Sequence, residues 1–334
     1  MTRRRIAVTG TGVISPLGLT MNETWSGLME GRSGIGPITR FDTTDFGTTI
    51  AGEVRDFDPT VYFSKMDLRQ MDLFIQYAVA CSFQALESAG LSDEASRPDP
   101  ERCGVFVGAG LGGIITIEKT HDSLRAKGPR RGVSPYFVPA IIVNLAAGQI
   151  SLFHGLKGPN FSHTSACSTG AHSVGEAART IERGDADLMI AGGTEATISP
   201  LGVGGFNAAR ALSTRNDDPA GASRPFSKDR DGFVMGEGCG VMVLEGWDTA
   251  KARGANIIAE LVGYAANADA HHITAPSPNG EGAQRCMKLA LKDAGIEPSQ
   301  VGYINAHGTS TLADTIETRA IKGVFGAHAE SGLA

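Results

Sequence analysis

The most constraining feature of this sequence is a set of short apolar segments, most of which run into glycine or another small residue. Segments this short and this apolar are typical of strands buried on both faces of a sheet. Having 44 glycines and only 6% aromatic residues suits the many tight turns of such a fold. The pattern predicts a layered α/β fold, with strands at residues 5–9, 103–108, 188–191, 240–245, 257–264 and 301–305 and helices at 22–30, 71–89, 143–152, 171–183, 282–294 and 315–325.

The chain also contains two segments that are similar to each other. Residues 84–91 and 289–296 each resemble a helix end with an Ala-Gly turn, and each leads through a polar loop to a predicted strand and then a glycine. A repeated order of elements indicates a duplicated unit. The first copy continues far beyond its strand, whereas the second ends soon after it in small and polar residues. We therefore expect two pseudo-duplicated halves, 1–252 and 253–334, with the C-terminal half incomplete.

Charge, cysteine content and hydropathy exclude several classes of protein. The net charge is −6 and no long basic run occurs, which argues against nucleic-acid binding. The five cysteines are widely spaced without a Cys-x-x-Cys pair, so we expect no metal site and a reducing cytoplasmic location. No apolar stretch approaches the length of a membrane span. Adjacent His271 and His272 do not indicate a metal site, because neighbours on an extended chain point in opposite directions.

Cys167 stands at the joint between a short predicted strand, residues 160–165, and the predicted helix 171–183. The amide groups and the dipole of a helix N-terminus favour a thiolate over a thiol. Small residues on both sides allow a substrate carbonyl to approach closely. A cysteine that merely packs in the core is the alternative, but such a cysteine normally has apolar neighbours. The pattern therefore predicts a nucleophile for acyl transfer.

His307 follows the predicted strand 301–305, in the stretch Asn305-Ala-His-Gly-Thr-Ser-Thr311. Catalytic groups of open α/β sheets lie at such strand ends, although an isolated histidine is often structural. A cysteine and a histidine together leave a cysteine protease open as a competing enzyme class. No protease signature flanks Cys167, and no clear Asn or Asp partner for His307 is evident in the sequence.

Several long motifs resemble one family, the β-ketoacyl-acyl-carrier-protein synthases of the thiolase superfamily, and within it the elongating synthase II type. The resemblance runs from residue 5 to about residue 325. It rests on Val8-Thr-Gly-Thr-Gly-Val-Ile-Ser-Pro-Leu-Gly18, Thr164-Ser-Ala-Cys-Ser-Thr-Gly170, Ala208-Ala-Arg-Ala-Leu-Ser213, Arg224-Pro-Phe-Ser-Lys-Asp-Arg-Asp-Gly-Phe-Val-Met-Gly-Glu-Gly238 and the histidine stretch 305–311.

The resemblance implies a thiolase-like α/β/α/β/α fold and a two-stage Claisen condensation in fatty-acid elongation. Cys167 accepts an acyl group from acyl carrier protein, and His307 matches the first of two histidines that stabilise the malonyl enolate. The substrates are carried on phosphopantetheine, and no other cofactor is implied. The remaining positions that match family roles are Thr274 near the pantetheine arm, Thr309 and Thr311 at the malonyl end, Leu111 as an apolar gate, Asp314 and Glu317 in an acidic network, and Lys65, Arg69 and Arg210 for carrier docking.

A homodimer is also implied, with the segment near Asn160 and residues 134–150 at its interface. The sequence departs from the family after Thr311, where one spacer residue and a proline are missing, and at Ala275, where a serine is common. It also ends before the Lys-Ser-x-x-Gly-His and Gly-Phe-Gly-Gly motifs. From this we expect weak or no condensation by these 334 residues.

Two hypotheses of different classes follow. The first is a condensing enzyme of fatty-acid or polyketide type. The second is a non-catalytic, synthase-like partner that binds carrier protein. Such partners in polyketide systems usually replace the nucleophile, so the presence of Cys167 favours the first hypothesis.

Overall fold

A computed structural model describes residues 3–334 of the protein. The strands in this range are β1 (Ile6–Ile14), β2 (Gly36–Pro37), β3 (Ile50–Ala51), β4 (Cys103–Gly108), β5 (Asn160–Phe161), β6 (Leu188–Glu195), β7 (Gly238–Gly246) and β8 (Ala259–Leu261). The helices are α1 (Met21–Met29), α2 (Leu73–Ser88), α3 (Ile114–Lys127), α4 (Pro129–Gly132), α5 (Phe137–Ile141), α6 (Leu145–His154), α7 (Thr169–Arg183), α8 (Pro200–Ala208), α9 (Trp247–Ala252), α10 (Glu281–Ala294), α11 (Ala313–Phe325) and α12 (His328–Ser331).

The chain folds into two compact units. The first contains residues up to 42 together with 51–205 and 235–261, and the second contains 43–50, 206–234 and 262–334. The second unit thus takes in two segments that precede residue 252. The predicted duplicated halves, 1–252 and 253–334, are not tested by this division into units and stay a prediction.

The first unit is built on a six-stranded mixed sheet in the order β5-β4-β6-β7-β1-β8. β4 is parallel to β5 and β6, whereas β7 is antiparallel to both β6 and β1. Side chains alternate across the sheet, so Val105 and Val107 pack in one core with residues of α2 and α6, while Phe106 packs in another with residues of α7. The first unit is therefore a three-layer α/β/α arrangement, as the apolar strand segments indicate.

Gly10 and Gly12 allow α2 to lie directly on β1. A methyl group at Gly10 would overlap the carbonyl oxygen of Ala85, and one at Gly12 would overlap that of Cys81. These glycines therefore serve close helix–strand packing. Their role explains why β1 runs on to Ile14, well beyond the predicted end at residue 9.

Two predicted strands are wrong or too long. Residues 301–305 do not form a strand. Two backbone hydrogen bonds join them to the chain end: Ile304 donates to the Ala334 carbonyl at 2.9 Å, and Ala334 donates to the Gly302 carbonyl at 3.0 Å. A strand requires a longer row of such hydrogen bonds. The predicted strand 257–264 shortens to β8, which pairs with β1 over three residues.

The second unit consists mainly of helices and irregular segments within the described residues. α10 and α11 contact one another, and the turn before α10 approaches α11 so closely that a methyl group on Gly280 would meet Ala320 and Ile316. Phe206 and Phe233 stack edge to face with their ring centroids 5.2 Å apart. No helix within residues 3–334 has the length and apolar character required to cross a membrane.

Candidate functional site

Cys167 lies in a short 3-10 turn, Ala166–Ser168, that passes straight into α7. Its side chain is exposed. Ala166 has a positive φ of 51°, a conformation that non-glycine residues adopt rarely and that often marks a functional turn. The helix begins two residues earlier than the sequence indicates. The thiol therefore stands immediately before the positive end of a 15-residue helix, where a thiolate is favoured.

Hydrogen bonds fix both sides of this turn. The Ser165 amide donates to Thr169 Oγ1 at 2.8 Å, and the Ser168 hydroxyl donates to the Ser165 carbonyl at 2.8 Å. Ser165 Oγ also lies 2.6 Å from His172 Nδ1 in the first turns of α7. The turn is thus tied to the helix that it precedes.

Glycines bring this turn against the sheet. A methyl group on Gly108 of β4 would overlap the carbonyl oxygen of His163, and one on Gly193 of β6 would lie 3.1 Å from the Cα atom of Gly170. Burial lowers the pKa of His163, whose Nδ1 is 3.4 Å from the hydroxyl of Ser173. The sheet therefore sets the position of Cys167 through backbone contacts.

The loop that follows β4 is held by a carboxylate at the end of β6. Glu195 accepts hydrogen bonds from the amides of Gly110 at 2.7 Å, Leu111 at 3.0 Å and Gly112 at 3.2 Å. Burial raises the pKa of Glu195, while the three amides oppose that change. The Leu111 side chain is 48% exposed. Leu111 therefore sits on a loop with a fixed backbone.

In the second unit, an acidic side chain anchors the loop that carries His307. Glu317 accepts from the His307 amide at 2.7 Å and from the Gly308 amide at 2.8 Å. The His307 side chain is exposed, and the residue precedes a glycine with a φ of 46°. Glu317 of α11 therefore contributes to the position of His307, a role that the sequence pattern assigned to a strand at residues 301–305.

Asp314 anchors the next part of the same loop. It is buried, and its carboxylate accepts from the amides of Phe226 at 2.8 Å and Ser310 at 3.1 Å. Both of those residues have positive φ angles, 64° and 65°. Arg230 lies 3.7 Å from the Asp314 carboxylate and donates to the Thr311 carbonyl at 2.6 Å. The segment 224–232 and the histidine loop therefore form one hydrogen-bonded structure.

The two threonines of the loop lie together, because Thr309 Oγ1 is 2.9 Å from Thr311 Oγ1. Thr274 is elsewhere in the second unit, in an exposed segment where its amide donates to His272 Nδ1 at 3.1 Å. The roles assigned to these residues by resemblance stay predictions.

The predicted docking cations are all exposed. Lys65 and Arg69 lie on the segment before α2 in the first unit, and Arg210, with a φ of 54°, lies after α8 in the second. The residues described here contain no group of three or more His, Cys, Asp or Glu side chains arranged to hold a metal ion.

The sequence interpretation missed Glu195, the Ser165–His172 pair and Phe226. Glu195 is separated by more than 80 residues from the loop that it holds, so no local pattern reveals the contact. His172, five residues after Cys167, carried a usable signal, because residues on the first turns of a helix face what precedes it.

The chain matches two family descriptions: "Beta-ketoacyl synthase, N-terminal domain" over residues 3–250 and "Beta-ketoacyl synthase, C-terminal domain" over residues 258–334. A protein of Vibrio cholerae named 3-oxoacyl-[acyl-carrier-protein] synthase 2 is 53% identical over 98% of this chain and 78% of its own length. Relatives of the same name from Synechocystis and Staphylococcus aureus are 51% and 49% identical, with the same shares of each chain covered.

Solved structures are similar over nearly the whole chain. A β-ketoacyl synthase from Burkholderia phymatum has a TM-score of 0.89 at 35% identity and covers 97% of this chain and 78% of its own. A type II polyketide ketosynthase, solved in complex with its acyl-carrier protein, has a TM-score of 0.84 at 34% identity, covering 99% of this chain and 80% of its own. The thiolase-like fold class is thereby confirmed. By sequence and by structure, this chain belongs to the β-ketoacyl synthase family.

Proposed function

We propose that this chain is a 3-oxoacyl-[acyl-carrier-protein] synthase, an acyltransferase that joins a cysteine-bound acyl group to a malonyl unit in fatty-acid elongation. The observation that carries the proposal is the exposed Cys167 in the strained turn before α7. The names of relatives at 49–53% identity support this substrate class over a polyketide one.

In the first half-reaction, the Cys167 thiolate attacks the carbonyl carbon of an acyl-carrier thioester. A new C–S bond forms at Cys167, and the carrier leaves as its phosphopantetheine thiol. The helix N-terminus stabilises the thiolate, so a permanently paired general base is not required. The Cys167 amide is the proposed donor to the oxyanion, and one such donor typically contributes about a hundredfold to a thousandfold in rate.

In the second half-reaction, malonyl carrier loses carbon dioxide, and the resulting carbanion attacks the acyl-Cys167 carbonyl. A C–C bond forms, the C–S bond breaks, and the thiolate returns. We assign His307 to stabilise the developing enolate oxygen, with Thr309 and Thr311 orienting the malonyl end. Glu317 and Asp314 act as positioning residues, since each holds backbone amides of this loop. We assign Thr274 to the pantetheine arm and Leu111 to the gate of the acyl pocket.

The proposed partner is an acyl carrier protein, which is acidic. Lys65, Arg69 and Arg210 are exposed and suit electrostatic steering of such a partner. A second group of basic residues, missed from the sequence, occupies the end of α3 and α4: Arg125, Lys127, Arg130 and Arg131. The polyketide ketosynthase of 34% identity was solved in complex with its own carrier protein, which supports this class of partner.

We also propose a homodimer formed through β5. This strand is at the edge of the sheet, and Phe161 on it is 62% exposed. Val138, in the predicted interface region 134–150, is 58% exposed, and Leu152, just beyond that region, is 74% exposed. An exposed apolar edge strand favours pairing with another strand. We propose a cytoplasmic location, which keeps a nucleophilic thiol reduced, and no cofactor beyond the phosphopantetheine of the carrier.

The proposal is tested by the intact mass of the protein after mixing with an acyl-carrier thioester. We expect a mass gain of one acyl group, absent in Cys167→Ala and retained in Cys286→Ala, which removes a half-buried cysteine outside the proposed site. Treatment of the acylated protein with malonyl carrier then reports on the second half-reaction.

Equal acylation of the Cys167→Ala variant would overturn the assignment of the nucleophile. Absence of acylation in a folded sample that still binds the carrier would favour the non-catalytic partner. Peptide cleavage that is lost in Cys167→Ala would favour the cysteine-protease hypothesis.

A further inference from the structure

A cavity of about 400 Å³ lies in the first unit. It is bounded by the start of α2, by α3 and by the segment that leads into α8. Its volume falls within the range of small-molecule sites, roughly 300–1,000 Å³. Apolar side chains form much of its wall: Phe41, Met71, Leu73, Ile115, Ile198 and Pro200.

Asp72 lines this cavity, and one oxygen of its carboxylate has no hydrogen-bond partner. The residue is 3% exposed, and its Oδ2 accepts from the Thr116 amide at 2.8 Å. Its Oδ1 is buried and has no hydrogen-bond partner. A buried carboxylate oxygen without a partner costs on the order of 1–3 kcal/mol, or more when it is charged, so such an atom calls for a donor.

Among the residues that the structure describes, no lysine or arginine forms an ion pair with Asp72, although Arg40 and Lys119 line the same cavity. Arg40 at the cavity wall is instead paired with the buried Glu237, and Lys119 is exposed. Glu118 also lines the cavity, where it accepts from the Ser199 hydroxyl at 2.8 Å and the Leu201 amide at 2.6 Å. Asp72 therefore has no cationic partner of its own at the cavity wall.

We propose that this cavity is a binding site for a small organic cation, with a primary ammonium group at Asp72 Oδ1 and a short apolar body against Met71, Ile115 and Ile198. An ammonium group supplies the missing donor and the missing positive charge together. A neutral alcohol of the same length supplies a weaker donor and no charge.

The test uses n-butylammonium chloride as the probe and ligand-observed NMR as the readout, with 1-butanol as its neutral counterpart. We expect saturable binding of the ammonium in the millimolar range, since a five-atom ligand offers little contact area. The alcohol should bind at least tenfold more weakly. Asp72→Asn should weaken ammonium binding at least tenfold, while Asp67→Asn, at a nearby carboxylate outside the cavity, should leave it unchanged.

A second variant separates charge from folding. Ile115→Phe narrows the cavity at the proposed apolar contact and keeps Asp72, so it should weaken binding of both probes while circular dichroism stays unchanged. No saturable binding to the wild-type protein would overturn the proposal and leave a water-filled cavity. Equal ammonium binding by Asp72→Asn or by the narrowed variant, or equal binding of the alcohol, would also overturn it.

Discussion

Glu317 accepts hydrogen bonds from the backbone amides of both His307 and Gly308, at 2.7 and 2.8 Å. The proposed catalytic histidine is therefore positioned through its main chain by a carboxylate ten residues away on α11. A charged acceptor makes each of these bonds worth about 1.5–3 kcal/mol.

Replacing Glu317 with alanine should separate the two half-reactions. We expect malonyl-carrier decarboxylation to fall at least tenfold, because the histidine loop loses its anchor, while acylation of Cys167 is unchanged. Radiolabelled carbon dioxide release and intact mass measure the two steps. Glu330→Ala, which removes an exposed carboxylate in the same unit, is the control. An equal loss in both steps would point to general misfolding instead.

Glu195→Gln should loosen the loop that carries Leu111. A glutamine presents only one carbonyl oxygen to three amides and turns an NH₂ group towards the others. We expect slower acylation, at least fivefold for long acyl chains and less for short ones, if Leu111 gates the acyl pocket. Single-turnover acylation with carriers of different chain length measures this, and Glu182→Gln on α7 is the control. A loss independent of chain length would contradict the gate.

Phe161→Glu should disrupt the proposed homodimer. Adding a charge to the exposed edge strand places like charges opposite one another in a two-fold interface. We expect the variant to elute as a monomer in size-exclusion chromatography with light scattering. Ile273→Glu, at a side chain that is 94% exposed, should keep the wild-type mass. A wild-type monomer, or a dimer unaffected by Phe161→Glu, would contradict the proposed interface.

Acid should destabilise the protein through His154. Burial, and then the charge of Arg97, lowers the pKa of His154 from 6.5 to about 4. Its Nε2 donates to Ser82 Oγ at 2.8 Å, since the Ser82 hydroxyl is used by the Val79 carbonyl. Between pH 6.5 and about 4, the unfolded chain binds a proton that the folded one excludes, so stability present above pH 6.5 is lost as the pH falls.

The size of this effect by pH 4.5 is on the order of 2–3 kcal/mol. His154→Gln keeps an N–H donor and cannot titrate, so its urea-unfolding free energy should fall less between pH 7 and 4.5. His121→Gln, at an exposed histidine, should match the wild type. An identical acid loss in His154→Gln would rule out this histidine as the cause.

Gly192→Ala and Gly240→Ala should differ strongly, although they lie on adjacent strands. A methyl group at Gly192 would overlap the Gly240 carbonyl oxygen, whereas one at Gly240 meets no atom within 4 Å. We expect about 3 kcal/mol of destabilisation for the first and a change within about 1 kcal/mol for the second. Chemical unfolding measures both, and similar values would contradict the packing of β6 on β7.

Local sequence signals were sufficient for much of the first unit. Strand β4 follows its prediction, Cys103–Gly108, because an apolar run this short has one energetically acceptable place, between two helical layers. The residues around Cys167 likewise predicted a turn before a helix N-terminus, since capping and small-residue preferences act over only a few positions.

Other features depended on residues distant in the chain. Residues 301–305 have strand-like composition, but strand formation requires a partner row of hydrogen bonds, and these residues have only two with Ala334. Gly10 and Gly12 lie beyond the predicted strand 5–9, yet they fall inside β1, where α2 packs against them. The anchoring of the Leu111 loop by Glu195 and the cavity at Asp72 could not be predicted from the sequence either.

The sequence by itself determined the family, the nucleophile candidate and the alternation of buried strands with helices, because these depend on residue type and short spacing. Only the tertiary structure decided which carboxylates hold the functional loops, which glycines are required for close packing, and which buried carboxylate oxygen remains without a hydrogen-bond partner. Those features depend on distances between segments that are far apart in the chain.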